Sequence, residues 1–148
     1  MNNARFLVFF FVLGVFLAIA ACGKKGPPFL SKREFSAEVT NLTGEWIKGE
    51  ILLKGDIRSS SGLRQAGDQI KGSRVYYAQY SLEDPPCAGC PIEFNGYYTF
   101  GGEVITEEGF LCRIGGEFQG TICFFKTNLV GAGGEIGPPS NTVEIVVE

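Results

Sequence analysis

From residue 35 onward the apolar positions fall in short alternating runs broken by glycine and proline. Alternation with period two marks half-buried strands, and no stretch here repeats convincingly at the helical period of about 3.6. The pattern predicts strands over 35–42, 47–57, 73–82, 92–100, 102–106, 110–114, 121–130 and 142–147. Turn signals punctuate them: Ser59-Ser60-Ser61-Gly62, Asp84-Pro85-Pro86, Asn95-Gly96, Gly115-Gly116, the glycine-rich run 131–134 and Gly137-Pro138-Pro139. Regular short strands with such turns predict an all-β, antiparallel β-sandwich or barrel over 35–148, long enough to bury a core unaided.

Residues 1–34 break this pattern. Arg5 precedes an unbroken small-or-apolar run over 6–21. It is shorter than the roughly 20 residues a membrane-spanning helix needs and suits the core of a signal peptide. The run ends Leu17-Ala18-Ile19-Ala20-Ala21-Cys22-Gly23. Aliphatic, small, small, cysteine resembles the lipobox of bacterial lipoproteins. That resemblance implies cleavage before Cys22, a diacylglycerol on its thiol and an acyl chain on its new amine. Residues 1–21 are then the signal peptide and 22–34 a tether. Three acyl chains at roughly 0.8 kcal/mol per buried methylene exceed the threshold for stable anchoring. Gly23 stands where such proteins carry Asp when retained at the inner membrane, which implies an outer-membrane address with the domain in the periplasm.

The tether opens Cys22-Gly23-Lys24-Lys25-Gly26-Pro27-Pro28. Two lysines beside acyl chains suit anionic headgroups, and the prolines enforce an extended exit from the bilayer. Cys22, Gly23, Lys25, Gly26 and Pro27 also resemble the mature N-terminus of LptM-type lipoproteins, small proteins attached to the lipopolysaccharide translocon. The match covers about seven residues.

Three stretches of the body resemble a fibronectin type III domain, a member of the immunoglobulin-like sandwiches. Gly72-Ser73-Arg74-Val75-Tyr76-Tyr77 is similar to its third strand, and Cys123-Phe124-Phe125-Lys126-Thr127-Asn128-Leu129-Val130 to its sixth. Gly137-Pro138-Pro139-Ser140-Asn141-Thr142-Val143-Glu144-Ile145 is similar to its last turn and strand. Two departures stand out. Ile51 and Leu53 replace the second-strand tryptophan, with Trp46 earlier, and Cys123 stands where the sixth strand usually carries tyrosine. Alternation sets Tyr76 and Tyr80 on one side of the third strand and Tyr77 on the other, as a core-packing or partner-facing set.

Composition narrows the chemistry. The chain is 45% hydrophobic with a net charge of −3, so it lacks the basic excess of a nucleic-acid binder. It contains no histidine, which removes Ser-His-Asp and Cys-His catalysis and His-bearing metal sites. With Cys22 lipidated, Cys87, Cys90, Cys112 and Cys123 remain, in a compartment that oxidises thiols. The Cys87-Ala88-Gly89-Cys90 segment is framed by prolines rather than leading into a helix, against a thioredoxin-like site. Cys112 and Cys123 form no second knuckle, against a four-cysteine zinc site. Two structural disulfides are expected, Cys87 with Cys90 and Cys112 with Cys123, although four cysteines allow three pairings. Asp56, Asp68, Glu83, Asp84, Glu107 and Glu108 are scattered over loops and turns, and the glycine-rich run 131–134 precedes no helix, so neither reads as a catalytic or phosphate site.

The sequence therefore predicts an outer-membrane lipoprotein bearing a non-catalytic binding or scaffolding sandwich. It has no metal or catalytic residues and no cofactor beyond the lipid on Cys22. Its partners are the membrane and an envelope protein. The N-terminal resemblance implies an alternative, an envelope-assembly factor at the lipopolysaccharide translocon. A periplasmic enzyme would be a third class, with no constellation to support it.

Overall fold

A computed structural model describes residues 35–59 and 69–148. The expected signal peptide, lipidated Cys22, the tether residues Gly23, Lys24, Lys25, Gly26 and Pro27, and the turn at Ser60-Ser61-Gly62 lie outside the described residues.

The strands are β1 (Glu38–Ile47), β2 (Glu50–Arg58), β3 (Ile70–Ser81), β4 (Gly96–Phe100), β5 (Ile105–Thr106), β6 (Gly109–Gly115), β7 (Thr121–Gly131), β8 (Ile136–Pro139) and β9 (Val143–Val147), with a 3₁₀ turn at Gly102–Val104. They form two sheets, ordered β1-β2-β6-β5 and β4-β3-β7-β8, and β9 also pairs with β7. Every pairing is antiparallel. The molecule is an antiparallel β-sandwich, and its strand order is that of immunoglobulin-like domains.

Alternation explains how the sheets meet. In β6, Phe110, Cys112 and Ile114 are buried while Leu111 and Arg113 face out. Ile51 and Leu53 of β2, Val75 of β3, Phe125 and Leu129 of β7 and Val147 of β9 are fully shielded from solvent. Each such side chain contributes roughly 1.5–3 kcal/mol of transfer free energy. Ile51 and Leu53 thus occupy the core position where the fibronectin resemblance would place a tryptophan. Trp46 sits edge-on to Phe118 at 5.9 Å, and Phe118 meets Phe125 at 6.4 Å.

Several boundaries differ from the sequence expectation. Of 102–106, expected as a strand, only Ile105–Thr106 is one, because Gly102–Val104 form the 3₁₀ turn. The third strand starts at Ile70 rather than at 73. The first strand runs on to Ile47, because Gly44 is a strand glycine: a Cβ there would collide with Ile145 and crowd Leu53. The hairpin turn is Lys48-Gly49 instead, with φ of 52° and 86°, the two positive values a two-residue primed turn requires. Residues 92–95, expected in a strand, belong to the loop before β4. Gly137-Pro138-Pro139, expected as a turn, lies in β8, an edge strand where the missing proline N–H groups cost no ladder bond.

Candidate functional site

The outward face of the β4-β3-β7 sheet concentrates rings and cations. On β3, Val75 and Tyr77 point inward, so Arg74, Tyr76, Ala78 and Tyr80 point outward. Tyr77 stacks on Tyr98 at 4.9 Å, and both pack against the core. Register then places Tyr76 opposite Tyr97 on β4 and opposite Lys126 on β7, Ala78 opposite Phe124, and Tyr80 opposite Ile122. Phe124 in turn faces Glu144 of β9.

The outward side chains contact one another accordingly. Tyr76 and Tyr97 lie 5.5 Å apart, and Tyr80 meets Phe124 edge-on at 5.9 Å. The Arg74 guanidinium sits 5.1 Å from the Tyr97 ring centre. Lys126 Nζ lies 5.7 Å from Tyr76 and 4.1 Å from Phe94. Among the described residues the ion pair is Arg113 with Glu50 at 3.6 Å. Arg74 and Lys126 are held by rings rather than by carboxylates. Such contacts contribute roughly 0.5–1 kcal/mol each at exposed sites.

Above this face runs the loop between β3 and β4. It is tied at its ends by Leu82 N–H donating to Gly120 O at 3.1 Å and Asn95 N–H donating to Tyr77 O at 2.9 Å. The Cys87–Cys90 disulfide pins its middle, with the Cα atoms 5.4 Å apart. Between loop and sheet lies a cleft of about 400 Å³, walled by Pro85, Pro86, Ile92, Ile122 and Phe124, with Glu144 at its side. A second groove of about 480 Å³ crosses the other sheet. Its Lys54, Asp56, Glu108 and Arg113 mix signs, its lining aromatic Phe110 is buried in the core, and Asp56 already accepts a hydrogen bond from Asn41 Nδ2 at 2.8 Å.

The expected bridge between Cys112 and Cys123 is not formed. Both thiols are free and buried. Cys112 pairs with Leu53 in one sheet and Cys123 with Gln79 and Ile145 in the other, so each is inserted into the core from its own side. Burial pushes the Cys112 thiol up to about 12, with the Glu103 charge adding to it. Burial also raises Cys123, against the lowering effect of the Thr121 hydroxyl. A reactive cysteine needs the opposite shift. Among the described residues no group of three or more Cys, Asp or Glu side chains is placed to hold a metal ion. Sequence reasoning singled out Tyr76, Tyr77 and Tyr80 but not Arg74, Phe94, Tyr97 or Lys126, because their meeting depends on strand register.

No family model matches the chain, and no curated protein matches it. Among solved structures it is similar to one described as "Myokine structure", at 11% identity and a TM-score of 0.49, over 76% of this chain and 97% of that one.

Proposed function

We propose that the chain is a lipoprotein anchored in the outer membrane through Cys22, whose periplasmic sandwich binds a partner without catalysing a reaction. The observation that carries the binding role is the ring-and-cation face of β3, β4 and β7 beside its disulfide-pinned cleft. The anchor rests on Leu17-Ala18-Ile19-Ala20-Ala21-Cys22. Cys22→Ser tests it. The variant protein should stay uncut, keeping its apolar run over 6–21, and carry no acyl groups, as read by intact mass. A Cys22→Ser protein cut and acylated like wild type overturns the anchor.

The Cys22-Gly23-Lys24-Lys25-Gly26-Pro27 stretch favours a second reading, an assembly factor at the lipopolysaccharide translocon. Crosslinked pull-down of the intact lipoprotein from membranes separates the two. Translocon subunits recovered in a Lys25- and Pro27-dependent manner would select the second.

A further inference from the structure

We infer that the outward face of β3 and β7 takes an extended acidic peptide segment of its partner, with an apolar side chain seated in the cleft. This deepens the binding role proposed above and rests on it.

The spacing follows from strand geometry. Outward positions on one strand recur every two residues, roughly 6.6 Å apart. Along β7 these are Ile122, Phe124 and Lys126, so the cleft floor and the Lys126 ammonium are adjacent outward positions. Arg74 faces Asn128 and Tyr76 faces Lys126, which makes Arg74 and Lys126 diagonal neighbours, roughly 7–8 Å apart. An extended ligand with the pattern apolar-x-acidic-x-acidic repeats at the same distances.

Charge and shape select that chemistry. Neither cation has a carboxylate partner among the described residues, including the loop's own Glu83, Asp84 and Glu93. The rings hold both cations in place, so an ion pair formed there loses little side-chain entropy. The cleft walls are aliphatic, aromatic and proline surface, which suits a hydrocarbon side chain. Glu144 lies beside the cleft and repels acid at that end, which points the ligand's carboxylates toward Lys126 and Arg74. A saccharide would stack on an open aromatic face, but Tyr76, Tyr97 and Phe94 each carry a cation.

The test uses the full chain in detergent micelles and a fluorescent synthetic peptide containing Leu-Ser-Glu-Ser-Glu, read by anisotropy. The expected result is saturable binding that weakens as salt rises. Lys126→Glu and Arg74→Glu should each reduce affinity about tenfold or more. The doubly reversed protein should prefer Leu-Ser-Lys-Ser-Lys, an exchange that general destabilisation would not produce. Lys126→Gln, with an unchanged melting transition, serves if a reversed variant fails to fold. No binding by wild type, equal binding of the two peptides, or affinity indifferent to Lys126 overturns the inference. The micelle assay does not depend on anchoring. A negative result beside normal Cys22-dependent cleavage and acylation therefore removes the peptide site and leaves the lipoprotein reading intact.

Discussion

The side-chain amide of Asn141 holds Leu42 by both of its backbone groups: Oδ1 accepts the Leu42 N–H at 2.8 Å, and Nδ2 donates to the Leu42 carbonyl at 2.9 Å. The contact joins the sheets, since Leu42 lies in β1 and Asn141 in the corner between β8 and β9. It falls at the bulge of β1, where the ladder to β2 skips between Thr40 and Thr43 and Asn41 takes a φ of 53°. A bulge leaves backbone groups without a cross-strand partner. Asn141 supplies both.

Asn141→Ala should therefore cost about 2 kcal/mol, because two part-buried backbone groups lose their partners at once. Asn141→Asp should lose as much, since it keeps an acceptor but sets a carboxylate oxygen against the Leu42 carbonyl. Urea unfolding checks both. A change within about 0.5 kcal/mol, the range of ordinary surface substitutions, would deny the clamp its role.

The last strand was legible in the sequence to within one residue, although the turn expected at Gly137-Pro138-Pro139 lies at 140–142, and the structure supplies the reason. Ser140 exchanges hydrogen bonds with Thr127, its N–H donating to the carbonyl at 2.8 Å and its Oγ accepting the amide at 3.0 Å. Ser140 Oγ also donates to Asn141 O at 2.8 Å. Pro-Ser-Asn is specific because each residue has a backbone partner or an edge position to fill. The alternation of β6 was equally plain, and β7 was placed to within one residue although it is buried on both faces. What could not be read was register. The cation–ring contacts of Arg74 and Lys126 exist only once β3, β4 and β7 are aligned. The cysteines misled for the same reason: Cys112 and Cys123 are near in sequence, but the chain between them crosses from one sheet to the other.

The Lys48-Gly49 turn carries strain that substitution can reveal. Lys48 has a φ of 52°, a left-handed conformation that costs an ordinary L-residue roughly 1–2 kcal/mol. Asn tolerates this region and is favoured in such hairpin turns. Lys48→Asn should raise stability by about 0.5–1 kcal/mol. Gly49→Ala should lower it by about 1 kcal/mol through backbone strain alone, since a Cβ at Gly49 would meet nothing within 4 Å. Thermal melts of both variants decide it. A neutral Gly49→Ala together with a destabilising Lys48→Asn would contradict a primed turn.

The buried thiols make stability depend on alkaline pH. In the unfolded chain Cys112 ionises near the ordinary thiol value of 9.0, whereas in the folded protein burial and the Glu103 charge hold its proton to about 12. A raised folded-state value contributes stability that is fully present below pH 9 and lost between about pH 9 and 12, as the unfolded chain releases a proton that the folded chain retains. Tyr98, raised by burial and by Tyr77, adds in the same direction. The Cys112 share is isolated by comparison with Cys112→Ala, which leaves Tyr98 in place. The stability advantage of wild type over Cys112→Ala should narrow steadily as pH climbs from about 9 toward 12. In the native protein at neutral pH, maleimide should react with Cys112 and Cys123 far more slowly than after unfolding, with Cys87 and Cys90 recovered as a disulfide. A gap between the two proteins that stays constant across that pH range, or a Cys112 that reacts as fast folded as unfolded, would contradict a thiol sealed in the core.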